Sequence, residues 1–208
     1  MTAESKFRIG VLGSGKGSNF VAIADACIAG KLPGEVTLVL SDVPQAGILE
    51  RARERNIPGR VIPPGNFRTK LDDMAEQAFI DALRNARVDL IALAGFMRVL
   101  KGEFLRSFEG RIVNIHPSLL PSFPGLAAWK QALEYGVKVT GCTVHFVDAG
   151  VDSGPIIAQQ AVPILDDDSH DSLHRRIQLA EHELYPSVIG RLARGEISLK
   201  GRRVMWKV

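Results

Sequence analysis

Two stretches of the chain carry side chains whose types and spacing suit acid–base chemistry. The first is Asn114-Ile115-His116-Pro117. Read as the end of a strand over Gly110–Ile115, its alternation sends Asn114 and His116 to the same side. Pro117 stops the strand directly after the histidine, so the pair stands at a pocket edge rather than mid-sheet. An amide N–H and an imidazole can both donate to a developing oxyanion, and histidine titrates near neutral pH. The second stretch, His145 to Pro155, places Asp152 in a turn flanked by Gly150 and Gly154. From such a turn a carboxylate can reach inward and favour the charged form of a nearby histidine. Each residue also has a plainer reading. A strand-end histidine is often only hydrogen-bonded structure, and a turn aspartate often only closes its own turn.

A third candidate is the run Gly13-Ser14-Gly15-Lys16-Gly17-Ser18-Asn19 between the first apolar run and the first helical segment. Glycines allow positive φ and close ligand approach, and a helix N-terminus offers N–H groups to an anion such as phosphate. Gly17 after Lys16 excludes a Walker loop, and Ser18 breaks the GxGxxG pattern. Asp42, after the second apolar run, keeps a ribose-binding, dinucleotide alternative open. The plainer reading is a glycine turn in which Ser18 or Asn19 caps the helix.

Other candidates carry less. His170 and His174 lie four apart on a helix, but no third metal ligand accompanies them, and the stretch reads as a solvated face. No metal is expected. Ser118 has no nucleophile elbow around it and reads as a loop-stabilising hydroxyl. His145, on a strand, reads as structural, and Trp129 and Trp206 as packing residues.

The elements that must position these residues change character along the chain. Apolar runs at Phe7–Leu12, Val36–Leu40, Arg60–Ile62 and Leu90–Ala94 alternate with helical patterns at Asn19–Ala29, Ala46–Arg55 and Thr69–Leu83. Such alternation implies an α/β, Rossmann-like, mostly parallel sheet with helices on both faces. The later half reads as paired strands, Val137–Val147 and Pro155–Val162, then a long helix from Ser169 to Ala193 and a small hairpin near Ile197–Met205. That makes the carboxyl-terminal half mixed. With no repeats and no convincing linker, one domain over 1–208 is expected, its first half about 1–100 and its second about 101–208.

Composition bounds the function classes. Of 208 residues 46% are hydrophobic and 24% charged, with a net charge of +3. Interspersed charges offer no nucleic-acid surface, and no apolar run is long enough for a membrane helix. The start lacks a leader pattern, and two cysteines, Cys27 and Cys142, lack metal-type spacing. A reduced, cytoplasmic protein that works as a monomer or homodimer is expected.

Taken together, NIHPSLLP, the following Pro124-Gly125, and His145-Phe146-Val147-Asp148 through Gly154-Pro155 resemble the folate-dependent formyltransferase superfamily. The likeness includes the GKGSN loop, the segment Leu93 to Leu100, and Glu181-His182 with Tyr185-Pro186. Within the superfamily the pattern is most similar to the branch that formylates the amine of glycinamide ribonucleotide. Added amino- or carboxyl-terminal domains, typical of deformylases and of the methionyl-tRNA branch, are not expected here. The resemblance implies the formyltransferase fold and transfer from 10-formyltetrahydrofolate in de novo purine (IMP) biosynthesis. It implies Asn114, His116 and Asp152 as catalytic, and Gly17, Ser18 and Asn19 as the phosphate site. Folate would meet Lys70, the segment Met97, Arg98, Val99 and Leu100, Asn114, and the turn Asp148, Ala149, Gly150, Val151 and Asp152. Gln178 and Glu181 would contact the amine-bearing substrate. The chain departs from many members at Ala127-Ala128-Trp129, where polar or histidine side chains are common. A deformylase using the same three residues, and a binding module without turnover, are the alternatives.

Overall fold

The computed structural model describes residues 6–207. Residues 1–5, read above as part of a start without a leader, and residue 208 lie outside the described residues. The described chain forms two compact units that divide after Ile112.

The first unit is built as the apolar alternation implies. Strand β1 (Phe7–Leu12) pairs in parallel with β2 (Gly34–Ser41) on one side and β4 (Leu90–Leu93) on the other, and β3 (Gly59–Val61) adds to β2. Every residue of β4 and the last four of β1 are buried, so both faces of these strands are covered. Helix α1 (Ser18–Ile28) buries Phe20, Ile23 and Ala24, the spacing of a single helical face. Helix α2 (Gly47–Glu54) buries Ile48 and Ala52 in the same way. Helix α3 runs Asp73–Asn85, not from Thr69, because the Asp72 carboxylate accepts the Ala75 N–H at 2.9 Å and fixes the start there. The preceding residues stay outside the helix, and Lys70 bridges Val99 in parallel. A short helix, α4 (Gly102–Ser107), was not legible in the sequence. Its N-terminal N–H groups, at Glu103 and Phe104, are accepted by Glu76 Oε1 of α3 at 3.0 and 3.2 Å, a cap supplied from 27 and 28 residues away.

The second unit is antiparallel. Strand β6 (Val139–Phe146) pairs with β5 (Ile112–His116), whose first residue ends the first unit, and with β7 (Ile156–Pro163). Helix α5 (Ala128–Tyr135) also escaped the sequence reading, and its N-cap Ala127 has no capping side chain and φ 53°. Helix α6 (His170–Ala193) starts at Ser169, where Ser169 and Ser172 exchange side-chain-to-backbone hydrogen bonds of 3.1 and 2.9 Å. Its Tyr185, fully buried, donates to the Val113 carbonyl at 3.0 Å and ties the helix to β5. A hairpin, β8 (Ile197–Lys200) with β9 (Arg203–Trp206), closes the chain. A parallel first half and an antiparallel second half are the fold class expected above.

Candidate active site

Strand β5 delivers the pair read from the sequence. Its last residue is His116, 4% exposed, and Asn114 sits two residues earlier, half-buried. The antiparallel register sets Asn114 opposite His145 and His116 opposite Thr143. Asp152 comes from the turn after β6. Its Oδ2 lies 3.2 Å from His116 Nδ1 and accepts the Gly125 N–H at 2.8 Å. The three side chains predicted to act together therefore converge. On its other edge, His116 Nε2 lies 2.9 Å from the Phe123 carbonyl. Both ring nitrogens thus face acceptors, which a ring protonated on both nitrogens can serve at once.

His145, expected to be structural, hydrogen-bonds directly to Asn114. Its Nδ1 lies 2.8 Å from the Phe146 carbonyl, which can only accept, so the proton belongs on Nδ1. The Nε2 lone pair then accepts from Asn114 Nδ2 at 3.2 Å. That bond fixes the amide with its nitrogen end toward His145 and leaves one N–H of the group to point elsewhere. Burial holds the His145 ring below the ordinary histidine value of 6.5, against the opposing Phe146 carbonyl and Asp152 carboxylate. With burial lowering its value and the Asn114 amide nitrogen toward Nε2, His145 is read as neutral, so its Nε2, 3.8 Å from Asp152 Oδ1, forms no ion pair.

The turn that carries Asp152 is built by its own residues. Asp148 Oδ1 accepts from Gly150 N–H at 3.1 Å and from the Ser153 hydroxyl at 2.6 Å. Asp152 itself adopts φ 50°, a left-handed conformation that aspartate tolerates. Gly154 passes so close to β6 that a Cβ there would stand 1.8 Å from the Phe146 carbonyl oxygen. Ala149, Gly150 and Val151 are exposed, Val151 by 58%. The proline loop is pinned from below: buried Ser118 donates to the Ser122 carbonyl at 2.6 Å, the loop-stabilising role expected of it. The Leu120–Pro121 bond in this loop is cis.

In the first unit, the glycine-rich loop opens α1 with Gly17, not Ser18 or Asn19, at the N-cap, and no side chain caps the helix. Gly17 has φ 77°, and a Cβ on it would meet Ile48 Cβ at 2.7 Å, so only glycine fits. The first turn carries no acidic residue. Asp42 is not offered to a ribose. It is 3% exposed, with Oδ2 2.7 Å from Arg98 Nε and Oδ1 accepting the Ser14 hydroxyl at 2.5 Å. The segment after β4 exposes Met97 by 56%, half-buries Arg98 and Val99, and buries Leu100. Lys70 sits with its ammonium 4.0 Å above the Phe67 ring.

On α6, Gln178 and Glu181 lie three residues apart, Gln178 half-buried and Glu181 only 5% exposed. Burial, with the Glu181 charge adding to it, pushes the Cys142 thiol up to about 12. Cys27 and Cys142 are both free. His170 faces Glu134 at 3.5 Å. His174 departs from the solvated face expected of it: its ring stacks on Trp129 with centroids 3.8 Å apart. Among the described residues no group of three potential ligands could hold a metal ion, and no helix is long and apolar enough to cross a membrane.

A formyl transferase family model matches residues 7–189, from β1 into α6. The chain belongs to the formyl transferase family. Within it, glycinamide ribonucleotide transformylase 1 of Symbiobacterium toebii superposes with a TM-score of 0.92 at 50% identity, covering 97% of this chain and 94% of that one. Phosphoribosylglycinamide formyltransferase of Bacillus subtilis is 45% identical, over 89% of this chain and 94% of its own length. Trifunctional purine biosynthetic protein adenosine-3 of Drosophila melanogaster is 49% identical over 94% of this chain, which spans only 14% of that longer protein. The family model takes in β5, the Asp152 turn and the glycine loop, so every residue expected to act in catalysis or to contact phosphate, folate or amine lies within the matched region.

Proposed function

We propose that this formyl transferase moves the formyl group of 10-formyltetrahydrofolate onto the amine of glycinamide ribonucleotide, a step of de novo purine biosynthesis. The observation that carries the reading is the convergence of Asn114, His116 and Asp152, with His116 Nδ1 3.2 Å from the Asp152 carboxylate. It occurs in a chain 50% identical to a glycinamide ribonucleotide transformylase over nearly its whole length.

The chemistry follows from these groups. The substrate amine attacks the formyl carbon, a new C–N bond forms, and negative charge gathers on the formyl oxygen. The Asn114 N–H that His145 leaves unused and the His116 Nε2 proton are the donors for that oxygen. In the described geometry that histidine proton faces the Phe123 carbonyl, so substrate must draw it away from Phe123. The bond from the formyl carbon to the folate nitrogen then breaks, and the proton lost by the attacking amine is delivered to that nitrogen. Asp152 holds His116 in orientation, its carboxylate lying against Nδ1 of the ring. No covalent enzyme intermediate is needed.

The remaining assignments are proposals on the same footing. Gly17, Ser18 and Asn19 take the ribonucleotide phosphate at an α1 N-terminus free of acidic side chains in its first turn. Lys70 and the segment from Met97 to Leu100 meet folate, as does the turn Asp148 to Asp152. Gln178 and Glu181 contact the ribonucleotide. The protein acts on small molecules in the cytoplasm, as a monomer or homodimer, without nucleic acid, membrane or metal.

Folate absorbance followed with and without glycinamide ribonucleotide tests the reading. Turnover that depends on the ribonucleotide is expected. Equal turnover without it indicates a deformylase, and no turnover at all a binding module. Asn114→Ala and His116→Ala are each expected to lower kcat by about two to four orders of magnitude with the fold retained. Near-parental kcat in either removes that residue from the mechanism.

A further inference from the structure

We infer that Asp42 is a positioning residue that holds the glycine-rich loop and the segment after β4 as one piece, so that the phosphate and folate subsites are set by a single carboxylate. The inference rests on the formyl-transfer reading for what each segment binds. The link itself rests on six contacts. Asp42 Oδ1 accepts the Ser14 hydroxyl at 2.5 Å, and the Ser14 oxygen in turn accepts the Met97 N–H at 2.9 Å. Asp42 Oδ2 takes Arg98 Nε at 2.7 Å. Arg98 Nη1 donates to the carbonyls of Phe67 and Arg68, beside Lys70. The Ser14 N–H donates to the Gly95 carbonyl at 3.0 Å.

The carboxylate is therefore the node of a closed network. One oxygen reaches the loop, the other reaches the segment, and Ser14 joins the two a second time. The Asp42 side chain is 1% exposed, and that of Arg98 17%. Shielded from water, such charge-assisted bonds are strong and geometrically demanding. Neither Asp42 nor Ser14 has a part in the transfer chemistry proposed above. Loosening the node should therefore shift where substrates bind without changing how the reaction is catalysed.

The test uses Asp42→Asn, which keeps the shape and removes the charge, and Ser14→Ala, which cuts one arm and threatens folding less. Each variant is expected to raise KM for both glycinamide ribonucleotide and 10-formyltetrahydrofolate by about 5- to 20-fold. kcat at saturation should stay within about threefold of the parent, with an unchanged pH profile. Because the two substitutions cut one network, their effects on KM should combine less than multiplicatively. A rise confined to one substrate, or a lower melting temperature with both KM values unchanged, overturns the inference. Amide hydrogen exchange without ligand gives a readout independent of the substrates. Both Ser14 and Met97 N–H groups should exchange faster in Asp42→Asn, and unchanged protection at both sites overturns the inference whatever the parent turns over.

Discussion

Asn114 carries an amide whose two ends differ by one proton pair, and only a neighbour decides which end faces a ligand. Neutral His145 makes that decision through the 3.2 Å contact at its Nε2. His145→Ala removes the acceptor, and kcat should fall by about 10- to 100-fold, the loss of one orienting hydrogen bond in a reacting site. His145→Gln, which can still accept, should recover part of it. A single-turnover rate equal to the parent in His145→Ala would sink this role. Asn114 and His116 were legible because alternation within one strand places them together and a proline ends that strand. His145 was not, since its partner lies across a strand pair. Only the observed register, Asn114 against His145, brings them side by side. Asp42 was legible only as an alternative ribose ligand, because nothing in sequence spacing shows Arg98 arriving 56 residues later.

Elements with strong local signals were found close to their observed bounds, and those with weak ones were not found at all. Helix α6 has a cap and a long apolar stripe. Helices α4 and α5 have Lys101 and Ala127 at their N-caps, neither of which caps through its side chain, and are 6 and 8 residues long. The start of α4 is set by a tertiary partner, Glu76, which no window of sequence contains. The anchor of α6 can be tested in the same terms. Tyr185→Phe keeps the buried ring and strips one hydrogen bond from the Val113 carbonyl, beside Asn114. It should cost about 1–2 kcal/mol in urea denaturation. A change within about 0.3 kcal/mol would show that the hydroxyl is dispensable.

For the whole chain, the fold class followed from the switch between strand–helix alternation and paired strands. The order of strands within each unit did not, because pairing is a long-range choice. Stability should depend on pH through two histidines. Burial holds both His145 and His182 below the ordinary value of 6.5 when folded. The unfolded chain therefore takes up those protons first as pH falls. Stability should be full above about pH 6.5, decline as pH drops through that value, and level once the folded rings protonate. Urea midpoints at pH 7.5 and 5.5 measure this, and His145→Gln should reduce the decline. Equal midpoints at the two pH values would contradict the assignment of neutral rings.

The left-handed backbone at Asp152 has a consequence for how freely this position can drift. Of the side chains that enter that region at low cost, glycine and asparagine carry no carboxylate, and glutamate, which carries one, does not enter it readily. Shape and charge are thus two independent filters, and aspartate alone passes both. An Asp152→Ala variant fails both filters together and cannot say which one mattered. Asp152→Asn fails only the second, so comparing the two variants separates the backbone's demand from the chemistry's. A lineage that lost this aspartate would have no one-step conservative substitute to fall back on.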